Sequence, residues 1–277
     1  MLPLLVAILL ETRFATLDAG LATAAQASPR PHECRGAASG EDRVWLRLRG
    51  ADAQRYCELL ARGYARLSET PKEALSAAQA ADALAGSTTA VRVLGGRAQL
   101  RLGQAALAYE QFASVEAVEP GAFSDPKTLH DYARSASLSG KSEAALRLYR
   151  LLVSRAALLS DARERAFCQI EAAAHVLAHA PNGTDEALGY LAATRQQALG
   201  LSPWINGLRS LAIKRGGHAE QRRVSGGGAS SAALGAPPSA GFSEEFPLLP
   251  PGMFEALRAA LTEPSEPAAS AAKGKAR

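Results

Sequence analysis

The chain has 277 residues, 47% of them hydrophobic but only 5% aromatic, and carries a net charge of +4. Its apolar stock is chiefly Ala and Leu, which suits close helix-on-helix packing and argues against a sheet built from Val, Ile, Thr and aromatic side chains. Its cysteines, Cys34, Cys57 and Cys168, are too widely spread for a C-x-x-C zinc spacing, and no apolar run reaches the roughly 20 residues of a membrane span.

In chain order, LPLLVAILL at 2–10 and Ala25-Gln26-Ala27 have the form of a secretory leader and its small-residue cleavage signature. Residues 1–27 are therefore expected to be a signal peptide, with a frayed amphipathic helix as the competing reading. The leader implies export to a periplasm or cell envelope; without it the chain is expected in the cytoplasm. Residues 28–52 read as a cap that lays Trp45, Leu46 and Leu48 on the first helices. In an oxidising compartment Cys34 and Cys57, which flank the segment leading into the first helix, are the expected disulfide pair, and Cys168 is a small buried side chain.

A first helix pair is expected at 53–68 and 71–84. Thr70 is placed to cap the second of these, Pro71 suits a first helical position, and Glu73 completes a capping box. The next pair, Thr89–Ala122, reads TAVRVLGGRAQLRLGQAALAYEQFASVEAVEPGA, with Gly96, Gly103, Ala108, Phe112 and Pro120 at regular offsets. Asp125-Pro126 opens a third pair in which Ala133, Gly140, Ala145 and Tyr149 repeat the pattern. A fourth spans 160–199, breaks at PNGT and resumes in DEALGYL. The small residue of each second helix, Ala74, Ala108, Ala145 and Ala187, registers the copies at gaps of 34, 37 and 42 residues. Small residues let helices approach, the turn glycines reverse the chain, and Phe112 and Tyr149 fill the space between units. The first copy has Ala78 where the second and third carry Phe112 and Tyr149, as end units often depart from the pattern.

Beyond the fourth copy, SPWINGLRSLAIKR predicts one more helix, opened by Ser202 and Pro203, that closes a helical domain spanning 53–215. Residues 216–250 read as a Gly/Ser/Pro linker. Residues 251–262 read as a short amphipathic helix through Met253, Phe254, Leu257 and Leu261, which either docks back or binds elsewhere. Residues 263–277 read as a disordered basic tail. Positive charge gathers toward this end, in Arg209, Lys214, Arg215, Arg222, Arg223, Lys273, Lys275 and Arg277.

These repeated offsets, from about residue 54 to 199, resemble the tetratricopeptide repeat (TPR) family, and the Ala/Arg-rich, leader-bearing chain is consistent with an exported bacterial member. The resemblance implies an all-α superhelix of about four helix pairs with a degenerate C-terminal helix. It also implies a non-catalytic scaffold or adaptor whose concave face, lined by the first helix of each pair, holds a protein or peptide segment. In this register that face carries Arg66, Arg97, Arg101, His130 and Arg134, with His179 further along, and converging arginines favour an acidic peptide. No cofactor and no nucleic-acid partner is expected.

Two other readings compete. Glu171, His175 and His179, spaced i, i+4, i+8, fall on one helical face as three ligands of a metal would. The basic C-terminal region, in turn, has the charge to hold an anionic membrane or nucleic acid. There is no G-x-x-x-x-G-K-[ST] phosphate loop and no G-x-S-x-G elbow; Asn182-Gly183-Thr184 fits a glycosylation acceptor but reads as an interhelical turn.

Overall fold

The computed structural model describes residues 34, 48, 50–194, 200–216 and 247–262. Ten α-helices and no strand occur among them. The helices are α1 (Ala51–Arg66), α2 (Pro71–Ala85), α3 (Thr89–Arg101), α4 (Ala105–Val118), α5 (Pro126–Leu138), α6 (Ser142–Arg155), α7 (Ala162–His179), α8 (Thr184–Thr194), α9 (Ser202–Lys214) and α10 (Met253–Thr262). The expectations for 1–27 and 263–277, for most of 28–52 and for 217–246 fall outside the described residues.

The helix starts show which local signals are used. Thr88 caps α3 by accepting from the Val91 N–H at 3.2 Å. Asp125 caps α5, its carboxylate accepting from Thr128 N–H at 3.0 Å and from the Thr128 hydroxyl at 2.7 Å, while Asp161 accepts from Arg163 N–H at the start of α7. The capping box expected at Thr70 is not formed. Thr70 makes no side-chain cap bond, and Glu73 turns instead toward Arg66 at 3.6 Å. Ser202 likewise lies inside α9, whose preceding residue, Leu201, supplies no side-chain cap. The α3–α4 and α5–α6 turns pass through Gly103 (φ 77°) and Gly140 (φ 70°), left-handed positions where a Cβ is strained. Asn182 (φ 59°) is the one non-glycine residue in that region among the described residues, and it makes the α7–α8 turn.

The chain forms two compact units divided between Ser135 and Ala136, within α5. In the first, α1 packs on α2, α2 on α3, α3 on α4, and α1 also touches α3. Its core gathers Leu48, Tyr56, Leu60, Ala74, Ala78, Ala81 and Leu94, with a half-buried disulfide between Cys34 and Cys57 (Cα–Cα 5.8 Å) tying residue 34 to α1. A further aromatic group fills the space between α4 and α5: Phe112 lies edge-on to Phe123 and is 5.5 Å from the Tyr132 ring. Gly96 is needed beneath it, since a Cβ there would meet the Phe112 ring at 3.0 Å. Ala74, Ala108, Ala133, Phe112 and Leu94 are all fully buried.

In the second unit α6 packs on α7, α7 on α8, α8 on α9, α9 also on α7, and α10 on α9. Ala145, Tyr149 and Ala187 are fully buried, and so is Cys168, which carries a free thiol. One apolar cluster runs from Phe167, Ile170 and Val176 through Leu191, Trp204 and Leu208 to Met253, Leu257 and Ala260 of α10. The short helix therefore docks, and it starts at Met253 rather than 251. The expected linker also ends early: Pro247 and Pro250 are buried. Arg209, counted with the exposed basic region from its sequence, is buried as well.

Candidate interaction surface and the buried histidine network

The arginine face lies in the first unit. Arg97 and Arg101 sit one turn apart on α3, and α5 brings Asp131 between them. Arg97 Nε donates to Asp131 Oδ2 at 2.6 Å, and Arg101 donates to the same oxygen at 3.2 Å and to the Arg97 carbonyl at 3.3 Å. The arginine side chains are 12% exposed and that of Asp131 8%. Burial alone would raise the Asp131 carboxyl, but the Arg101 charge, the Arg97 charge and the Arg97 hydrogen bond outweigh it and hold the group at about 2. Asp131 reciprocally raises Arg97 against its burial.

This corrects the expected row of open guanidinium groups. Two of its five members serve an internal ion pair, Arg134 is buried, and Arg66 is half exposed beside Glu69 and Glu73. His130 is partly exposed on α5. Removing Arg97 would leave Asp131 buried with half its compensation, so such a variant tests the fold as much as binding. The sequence carries a signal for Asp131: it stands 34 residues after Arg97, one repeat spacing along, where opposite charges on successive first helices meet.

The second unit holds the proposed metal triad, and the structure puts it to a different use. Glu171 and His175 are buried on α7, while His179 is exposed. His175 Nδ1 lies 2.8 Å from the Glu171 carbonyl, which can only accept, so Nδ1 carries the proton. Nε2 then accepts from the Ser137 hydroxyl at 2.7 Å. Burial pushes the His175 imidazole down to about 4, against the Glu171 contacts that favour its charge. The Glu171 carboxylate is also engaged, accepting from Tyr149 OH at 2.9 Å and from the Leu248 N–H at 2.9 Å. Both imidazole nitrogens are thus committed, and no group of three or more metal-ligating side chains is assembled among the described residues. An i, i+4, i+8 spacing guarantees one face of a helix, not a common point in space.

Outside these clusters, Arg150 of α6 forks onto Glu186 of α8 at 2.9 and 2.7 Å, and Tyr190 donates to the same carboxylate at 2.6 Å. Burial and the Glu186 partner push Tyr190 up to about 12. A cavity of about 450 Å³ opens at the α7–α8 turn, where Asp185 and Arg215 are its charged groups. It assembles no nucleophile with a base. Among the described residues no helix is long and apolar enough to cross a membrane. Comparison with protein-family models, curated proteins and solved structures gave no match.

Proposed function

We propose that the chain is a non-catalytic protein-interaction module built as a TPR-like array, holding a segment of a partner protein along the first helices of its pairs. The observation that carries this reading is the contact of Gly96 with Phe112. The small and large signature residues that recur in the sequence meet across α3 and α4, where a Cβ would stand only 3.0 Å from the ring. The contacts of α1 with both α2 and α3, and of α7 with both α8 and α9, also fit stacked pairs that bury a shared face. Of the three candidate metal ligands, Glu171 and His175 are engaged in internal hydrogen bonds, which leaves the interaction reading favoured.

The ligand preference that follows is milder than an acidic-peptide clamp. Asp131 cancels one of the two charges of Arg97 and Arg101, so this pair offers shape and a small positive excess. The Cys34–Cys57 bridge supports an oxidising, exported setting.

A photo-crosslinking residue placed at position 66 or 130 of the intact protein in its native host tests this. Discrete protein adducts are expected at both positions. Adducts from position 118, on the second helix of its pair and 80% exposed, with none from 66 or 130, would overturn the assigned face.

A further inference from the structure

Glu171 is fully buried on α7, yet one of its oxygens is spent on the backbone of a residue 77 positions away. The donor, Leu248 N–H, belongs to a segment that has no helix at that point. The run 247–250, without regular secondary structure, reaches α7 at Leu248 with Pro247 and Pro250 buried, then leads into α10. From α10, Met253, Leu257 and Ala260 enter the apolar cluster, and Phe254 sets its ring 6.0 Å from Trp204 of α9. Glu255 and Arg258 stay on the outer side. Polypeptide is being recognised here in a sequence-tolerant way at one end, through a main-chain N–H, and through apolar anchors at helical spacing at the other.

The segment differs from the helices beneath it. In sequence, 32 residues, 215–246, lie between the end of α9 and Pro247, whereas at most seven lie between any other successive helices of the second unit. A segment carried on the same chain meets its face intramolecularly, so a modest contact stays closed without being permanent.

We propose that residues 247–262 are an internal ligand: the face formed by α7 and α9 around Glu171 and Trp204 is a protein-binding site that the chain's own C-terminal segment occupies. The partner it takes is a protein segment of the same form, a short extended apolar run leading into an amphipathic helix with apolar residues at i, i+4 and i+7. That partner gains access by displacing the internal copy, so binding is held in check until the partner's local concentration or affinity exceeds that of the tethered one. The inference rests on the interaction-module reading but places its site in the second unit, apart from the arginine face.

The test uses the full chain and a fluorescein-labelled peptide of the segment itself, PLLPPGMFEALRAALT. Leu257→Asp in the full chain should release the internal copy, because it puts a carboxylate into a fully apolar site. The labelled peptide should then bind at least ten-fold tighter to this variant than to the wild-type chain by fluorescence anisotropy, and unlabelled peptide should compete. Hydrogen exchange on the unmodified protein guards against a variant that does not fold. Amides of α10 should exchange together, at least ten-fold faster than those of α7 and α9. Equal protection of α10 and α9 in the wild type, or a folded L257D chain with no gain in peptide affinity, would show the segment to be a permanent layer of the core. Either result would leave the crosslinking test of the first unit untouched, so the two readings fail separately.

Discussion

An imidazole held neutral inside a helical layer makes stability depend on pH, and His175 does this for the second unit. Its folded value of about 4 lies below the ordinary 6.5 because burial opposes the charged form. The unfolded chain therefore takes up a proton that the native chain declines, and the native state loses stability as pH falls from about 6.5 to about 4. By linkage the loss is on the order of 3 kcal/mol. Asp131 does not contribute in that window. Its carboxyl is depressed, so the stability it adds is present above the usual 3.8 and disappears as pH falls toward about 2. Urea unfolding at pH 7 and pH 4.5 should thus show a marked drop that His175→Gln flattens. An unchanged midpoint in the wild type would mean that the imidazole is reached by water in the folded chain. At the residue scale the charges were readable from sequence but not their destinies: Arg97 reads as a groove residue and His175 as a metal-ligand candidate until Asp131 and Ser137 of α5 are placed against them.

Among the elements, the α3–α4 pair has a narrow tolerance, since a glycine there stands against a phenyl ring. Phe112→Ala removes a fully buried ring from between α3, α4 and α5, and should cost about 3 to 5 kcal/mol. Gly96→Ala would gain helix propensity on paper, yet its new methyl stands 3.0 Å from Phe112, so a loss of about 1 to 3 kcal/mol is expected. The two should couple. In a Phe112→Leu background the Gly96→Ala penalty should shrink, and thermal or urea unfolding of the four chains closes the cycle. Additive effects would show that the helices part freely and that the contact does not set their spacing. Much of this was legible in the sequence, because glycine, alanine and aromatic residues at fixed offsets encode helix separation directly. The capping box at Thr70 was not, since Arg66 on α1 competes for Glu73 at 3.6 Å and tertiary proximity overrode a local rule.

Across the whole molecule, covalent and tethered segments close both ends of the described helices. The Cys34–Cys57 bridge spans 23 residues, a loop whose closure restricts the unfolded chain by about 3 kcal/mol in the chain-entropy account. Replacing both cysteines with Ser should lower the stability of the first unit by up to that amount, read by urea unfolding and by faster hydrogen exchange in α1 and α2. Exchange that rises equally in α7 and α9 would instead mean that the bridge stabilises more than the elements it joins. In the second unit, the segment 247–262 is held on α7 and α9 by packing and the Leu248–Glu171 hydrogen bond, with no covalent bond to that face, which is why it can be a replaceable ligand where the disulfide cannot.

Sequence alone determined the helices, the turns at Gly103 and Gly140, and the alternation of small and large residues, because these depend on contacts three or four positions apart and on backbone angles that only certain residues adopt. It placed a short helix at 251–262 but left open where that helix binds. Only the tertiary structure decided that Arg97 and Arg101 share Asp131, that Glu171 and His175 form a closed hydrogen-bonded group rather than a metal site, and that Leu248 reaches back to Glu171. The long-range bonds that decide these arrangements span 22 to 77 residues, and a hydrogen bond or ion pair forms only within about 3 Å. Helical periodicity gives the face on which a charge lies, while the packing of one helix against another chooses the partner that neutralises it.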